Sequence, residues 1–144
     1  MSEPVAFGSP IPGHDYLNRP CVYAVVFGKD GRIATVRTAS GHYLPGGGIG
    51  RGESREAALV RECLEECGRG LEIGAHIGDA VQFLDVPGEG HLRLLGSFFL
   101  GRFTAAEPAP GEPDHALVWL TPEEAALGMK RPFEAWAITR AKGT

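Results

Sequence analysis

The stretch GGGIGRGESREAALVRECLEECG, residues 46–68, decides how this chain is read. A glycine-soaked loop turns directly into a helix predicted from about Arg55 to Cys67. Ser54 is placed to cap its N-terminus, Glu56 sits in the first turn where the helix dipole favours an acid, and Gly68 supplies the stop. At about 100° per residue, Ala57, Val60, Leu64 and Cys67 gather on one side, widened by Leu59 and Cys63. The other side carries Ala58, Glu62, Glu65 and Glu66. Glu62 faces Glu65 at i,i+3 and Glu66 at i,i+4, and such like-charge pairs each cost a few tenths of a kcal/mol. Two readings account for the cluster. It is a solvated acidic face, or it is a seat for a hard divalent cation, which takes a few carboxylates and leaves its other positions to water and phosphate.

The loop in front bears on the choice. LPGGGIGRGE, residues 44–53, is no P-loop, because no Lys-Ser/Thr follows its glycines. It is no dinucleotide fingerprint either, because Glu53 stands where the last glycine belongs. Its glycines let backbone groups come close to a ligand. A flexible loop beside three acids at fixed spacing favours the cation site.

Working outward, residues 1–19 are punctuated by Pro and Gly and lack periodicity, so an extended arm with little regular structure is expected, followed by one domain over residues 20–144. CVYAVVFG (Cys21–Gly28) reads as a buried strand, KDGR (Lys29–Arg32) as a tight Asp-Gly turn, and IATVRT (Ile33–Thr38) as the return strand. HYLP (His42–Pro45) is short and extended. Beyond the helix, AVQFLDV (Ala80–Val86), HLRLLGSFFLGRF (His91–Phe103) and ALVWL (Ala116–Leu120) read as strands. Residues 104–115 form a Pro-rich acidic loop. Thr121 and Pro122 open a further helix, and a last one covers roughly Pro132–Ala141.

Composition bounds the function. A 144-residue chain with 43% hydrophobic and 22% charged residues fits one globular domain. Its net charge of −4 disfavours a nucleic-acid polymer as partner, which wants a basic surface. A small phosphorylated ligand remains compatible, since a bound cation inverts the local sign. No apolar run is long enough for a membrane-spanning helix, so no membrane partner is expected. The N-terminal residues lack the basic and apolar regions of a secretory signal, and three cysteines give no even disulfide framework. A cytoplasmic location is expected.

The stretch resembles the signature of the Nudix hydrolases: a Gly, five residues, a Glu, seven residues, then Arg-Glu-apolar-x-Glu-Glu-x-Gly-apolar. Here these are Gly47, Glu53, Arg61-Glu62, Cys63, Glu65-Glu66 and Gly68, and Arg69 stands in the last apolar slot. The resemblance implies an α+β fold, an α/β/α sandwich with a mixed β-sheet and the signature as a loop–helix–loop. It implies a hydrolase using Mg²⁺ or Mn²⁺ to cleave the diphosphate linkage of a nucleoside diphosphate derivative, with (d)NTP pyrophosphohydrolysis among the activities. It implies Glu62, Glu65 and Glu66 as metal ligands, with the Gly47 carbonyl as another. It casts Arg61 as the residue that orients the acids, and Glu53 as a brace for the loop or a contact to metal-bound water. Glu62 or Glu66 would serve as base. A nucleotide-type small molecule is the implied partner, and since dimers are common in the family a homodimer is compatible with it.

Around this core, Glu112 and Asp114 in GEPDH are candidates for a base or an added ligand, against the reading of a solvated turn. His42 and Arg93 are candidates for substrate contact, against that of plain polar residues. Cys63 and Cys67 are expected to pack in the core, because a zinc pair needs two more ligands. The competing function is a non-catalytic nucleotide-binding or regulatory module on the same fold. The whole Arg-Glu and Glu-Glu elements favour catalysis.

Overall fold

The apolar run Cys21–Val26 is buried on both of its faces. In a computed structural model, which describes residues 4–104 and 111–143, it forms the inner part of a strand between two helical layers. The elements are β1 (Val5–Phe7), β2 (Leu17–Val26), β3 (Ile33–Thr38), β4 (Gly41–Tyr43), β5 (Gly46–Gly48), α1 (Arg55–Cys67), β6 (Leu71–Val86), β7 (Gly90–Phe103), β8 (Ala116–Leu120), α2 (Pro122–Gly128) and α3 (Pro132–Lys142). Strands β1-β6-β7-β2-β5 make a mixed five-stranded sheet, parallel at β1·β6 and β2·β7. Strands β4-β3-β8 make a smaller antiparallel sheet. This is the α+β sandwich expected above.

Side chains alternate along a strand, so β2 feeds two cores. Cys21, Tyr23 and Val25 pack with Ala125 of α2 and with Phe133, Ala137 and Ile138 of α3. Val22, Ala24 and Val26 pack with Ala58, Leu59 and Cys63 of α1. A strand covered on both faces has no polar side to show, which explains its unbroken apolar sequence.

Local signals placed several boundaries. Ser54 Oγ accepts the Ala57 N–H at 3.1 Å, and Gly68 closes α1 at φ +65°. Thr121 and Glu124 form a reciprocal capping box on α2. Gly31, at φ +82°, makes the turn after β2, and Asp30 accepts from the Arg32 amide at 3.1 Å.

Three expectations need correction. The arm carries regular structure: Val5–Phe7 pair with Ala80–Gln82, and β2 begins at Leu17. Strand β6 begins at Leu71 rather than Ala80; register shifts at Ile73/His76 and His76/Gly78 break the alternation that would have revealed it. The buried face of α1 is also rotated. Ala58, Leu59, Cys63 and Cys67 are buried, whereas Ala57, Val60 and Leu64 face solvent. Glu62 and Glu66 therefore border the core instead of standing opposite it, and both are half-buried.

Among the described residues, no helix is long and apolar enough to cross a membrane.

Candidate functional site

The chain leaves the small sheet at Tyr43, crosses through Leu44 and Pro45, and joins the large sheet at Gly46. That crossing delivers the glycine loop to the acidic edge of α1. The Gly46 N–H donates to Glu66 Oε1 at 2.9 Å. Gly47 lies so close that a Cβ there would stand 2.8 Å from the Glu62 carboxyl carbon. Glycine is required at Gly46 as well, for its φ of +144° and for a virtual Cβ 2.1 Å from the Val22 carbonyl.

Arg61 organises the rim. Its Nε and Nη2 donate to Glu53 Oε2 and Oε1 at 2.7 and 2.9 Å, a bidentate pair. Nη2 also donates to the Gly48 carbonyl at 3.2 Å. Nη1 donates to Glu62 Oε1 at 3.0 Å and to Glu65 Oε2 at 3.2 Å. Glu53 Oε1 accepts the Gly50 N–H at 2.8 Å, which closes the loop on itself. The Arg61 bonds, then the Gly50 amide, hold the Glu53 carboxyl down to about 2. Glu53 is thus a fixed anion that pins loop to helix.

Glu62 and Glu66 behave oppositely. Burial raises Glu62 above its ordinary range; its bond to Arg61 opposes this, and Glu65 and Glu112 add repulsion. Burial pushes Glu66 up to about 8, against the lowering effect of the Gly46 amide, and Glu62, Glu112 and Glu134 raise it further. Half-buried carboxylates that repel one another are a donor set short of positive charge. Their oxygens are hard, the chemistry that Mg²⁺ or Mn²⁺ takes.

The loop before β8 completes the surround. The Glu112 N–H donates to the Glu65 carbonyl at 3.1 Å, which seats Glu112 over the end of α1. Asp114 projects into solvent and accepts from His115 Nδ1 at 3.1 Å. Glu112, Asp114 and His115 bring ligand atoms within 4.8 Å of one another. Residues 105–110 of this loop lie outside the described residues.

The other candidates stand apart. His42 Nδ1 contacts Thr35 Oγ1 at 3.3 Å, and its carbonyl accepts the Lys130 amide at 3.0 Å. Arg93 donates to Asn18 Oδ1 at 2.6 Å, and among the described residues no hydrogen bond joins it to the acids. Cys63 and Cys67 are buried, and burial raises both thiols. Arg69, the departure from the signature, lies over the Phe103 ring at 5.8 Å.

Several residues around the site gave no sequence signal. A cavity of about 340 Å³ opens beside Glu66, walled by Tyr23, Ser40, Tyr43, His115 and Arg131. A second, of about 460 Å³, shares Ser40, Tyr43 and Arg131 with it and extends to Gln82, Leu84 and Lys130. Arg131 lies over the Tyr43 ring at 5.2 Å.

The sequence profile of the NUDIX domain matches residues 17–140. A Bacillus subtilis protein named "Putative 8-oxo-dGTP diphosphatase" is 38% identical over 87 residues, 60% of this chain and 54% of that protein. The chain thus spans about half the length of that relative. A NUDIX hydrolase from Nitrosomonas europaea superposes with a TM-score of 0.72 at 20% identity, over 88% of this chain and 90% of that one. A MutT NUDIX hydrolase from Burkholderia pseudomallei superposes with a TM-score of 0.66 at 27% identity, over 86% and 98%.

Proposed function

The chain belongs to the Nudix family, and on that premise we propose that it hydrolyses the diphosphate linkage of a nucleoside diphosphate derivative with the help of Mg²⁺ or Mn²⁺. The observation that carries this reading is the meeting of the half-buried Glu62 and Glu66 with Gly46 and Gly47, where mutual repulsion among carboxylates asks for a cation. Glu62, Glu65 and Glu66, with the Gly47 carbonyl, would hold the ion. When bound, the ion neutralises diphosphate oxygens and draws charge from the bond being broken.

The chain's own residues do the rest. Arg61 fixes the directions of Glu62 and Glu65 by donating to both. Glu53 locks Arg61 and, through Gly50, the loop that carries Gly47. Glu112, held over α1 and making no bond to Arg61 among the described residues, takes the proton of the attacking water. The cavity beside Glu66, and the second cavity that shares Ser40, Tyr43 and Arg131 with it, receive the organic part of the substrate. The name of the Bacillus subtilis relative makes oxidised and ordinary nucleoside triphosphates the first substrates to try.

The test is phosphate and pyrophosphate release from a panel of nucleoside triphosphates and nucleoside diphosphate derivatives, with each metal. Turnover of at least one, lost in Glu66→Gln, supports the reading. No turnover of any of them favours a module that only binds nucleotides.

A further inference from the structure

Glu134 lies outside the signature and on a different helix, yet its one side-chain hydrogen bond among the described residues is made to the segment that feeds the site. It is fully buried in the first turn of α3. Its Oε1 accepts the Leu44 N–H at 2.6 Å. Its Oε2 has no hydrogen-bond partner among the described residues. A buried carboxyl is expensive, and an apolar side chain of the same size would fill the space at lower cost. The bond to Leu44 is what the carboxyl supplies that such a side chain would not.

Leu44 sits where it matters. It lies between β4 and β5, at the crossing from the small sheet to the large one, and its N–H has no partner in either ladder. The next residue, Pro45, has no N–H, and its carbonyl accepts from the Ala24 amide at 2.9 Å. The N–H after that, of Gly46, donates to Glu66. Both amide donors of the crossing are therefore taken by carboxyl groups, one from α3 behind the site and one from α1 within it. The α3 turn that presents Glu134 is itself fixed, because the Phe133 N–H donates to the buried Gln82 Oε1 at 3.1 Å.

We propose that Glu134 is a positioning residue for the acid cluster: it holds Leu44, and through Leu44 the Gly46–Gly47 backbone, in register with Glu62 and Glu66. This rests on the hydrolase reading above for its kinetic consequence, but not for its structural one. Glu134 touches neither the attacking water nor the diphosphate in this account; it acts through the loop.

The test compares Glu134→Gln, which keeps an acceptor oxygen, with Glu134→Met, which removes it at nearly equal length. The first readout is amide hydrogen exchange at Leu44 and Gly46 in metal-free protein; the second is kcat and KM. In Glu134→Met, exchange at both amides is expected to quicken by about tenfold. Its kcat is expected to fall by about tenfold with KM little changed, while Glu134→Gln stays within about threefold of the parent on every readout. Unchanged Leu44 exchange in Glu134→Met overturns the proposal. So does a Glu134→Gln variant as slow as Glu134→Met with its Leu44 amide still protected, which would make Glu134 a substrate contact. Where Glu134→Met does not fold, Glu134→Asp draws the acceptor back from Leu44 and is judged by the same two outcomes. A parent protein that turns over no nucleotide contradicts the hydrolase reading and leaves the exchange comparison able to decide this one.

Discussion

Arg61 grips Glu53 with two parallel hydrogen bonds, from Nε at 2.7 Å and Nη2 at 2.9 Å, and so ties the helix of the signature to the loop before it. The fork needs a planar guanidinium; an ammonium makes one such bond at most. Arg61→Lys keeps the charge and loses the geometry. We expect kcat to fall by about tenfold to a hundredfold with a small change in melting temperature. Steady-state kinetics beside a thermal melt would check it, and an Arg61→Lys variant of full activity would remove the fork from the account.

The three glycines of β5 differ sharply in what they tolerate. A Cβ on Gly48 meets nothing within 4 Å, so Gly48→Ala is expected to be silent in activity and stability. A Cβ on Gly47 would press on the Glu62 carboxyl at 2.8 Å. Gly47→Ala should therefore fold and lose about a hundredfold in kcat as Glu62 is displaced. A Cβ on Gly46 would collide with the Val22 carbonyl at 2.1 Å, so Gly46→Ala should unfold more readily than either. Melting curves and kinetics of the three variants test the order.

The rotated face of α1 gives a stability contrast. Leu59 is fully buried and Leu64 is 52% exposed. Leu59→Ala should cost about 2–5 kcal/mol. Leu64→Ser should stay within about 0.5 kcal/mol of the parent. Denaturant titration decides, and equal losses would restore the face expected from the helical wheel.

Stability should also fall as pH rises in metal-free protein. Burial pushes the Glu134 carboxyl from its ordinary 4.5 up to about 8, despite the Leu44 amide and Arg131. Between those values the native chain keeps a proton that the unfolded chain has released. Glu134's contribution is therefore whole below about 4.5 and lost by about 8, at a slope of up to about 1.4 kcal/mol per pH unit. Glu134→Gln should flatten that slope. Denaturation at stepped pH would show it, and identical slopes in both proteins would contradict it.

Much of this was legible where a local rule decides the outcome. Ser54, Gly68, Thr121 and the Asp30-Gly31 turn act on the residues beside them, and they mark the ends of α1, the start of α2 and the turn after β2. The carboxylates were legible because their spacing on one helix is itself the geometry. What was hidden depends on distant partners. Val5–Phe7 become strand only because β6 offers an edge, and β6 itself was obscured by its irregular register around His76 and Gly78. The wheel put Val60 and Leu64 inward, but the sheet face lined by β2, β7 and β6 receives Ala58, Leu59 and Cys63, with Glu62 and Glu66 at the margin. Glu134 carries no local signal in the sequence; its hydrogen bond comes from the return of Leu44 to α3.

The central claim is that the carboxylates bordering Gly46 and Gly47 form a seat for a divalent cation. Mn²⁺ titration followed by electron paramagnetic resonance tests it most directly, in the parent protein and in a Glu62→Gln, Glu66→Gln double variant. The account predicts that the parent removes Mn²⁺ from the free-ion signal saturably and that the double variant, still folded, does not. A parent that leaves the free-ion signal untouched, or a double variant that binds as tightly as the parent, would contradict it.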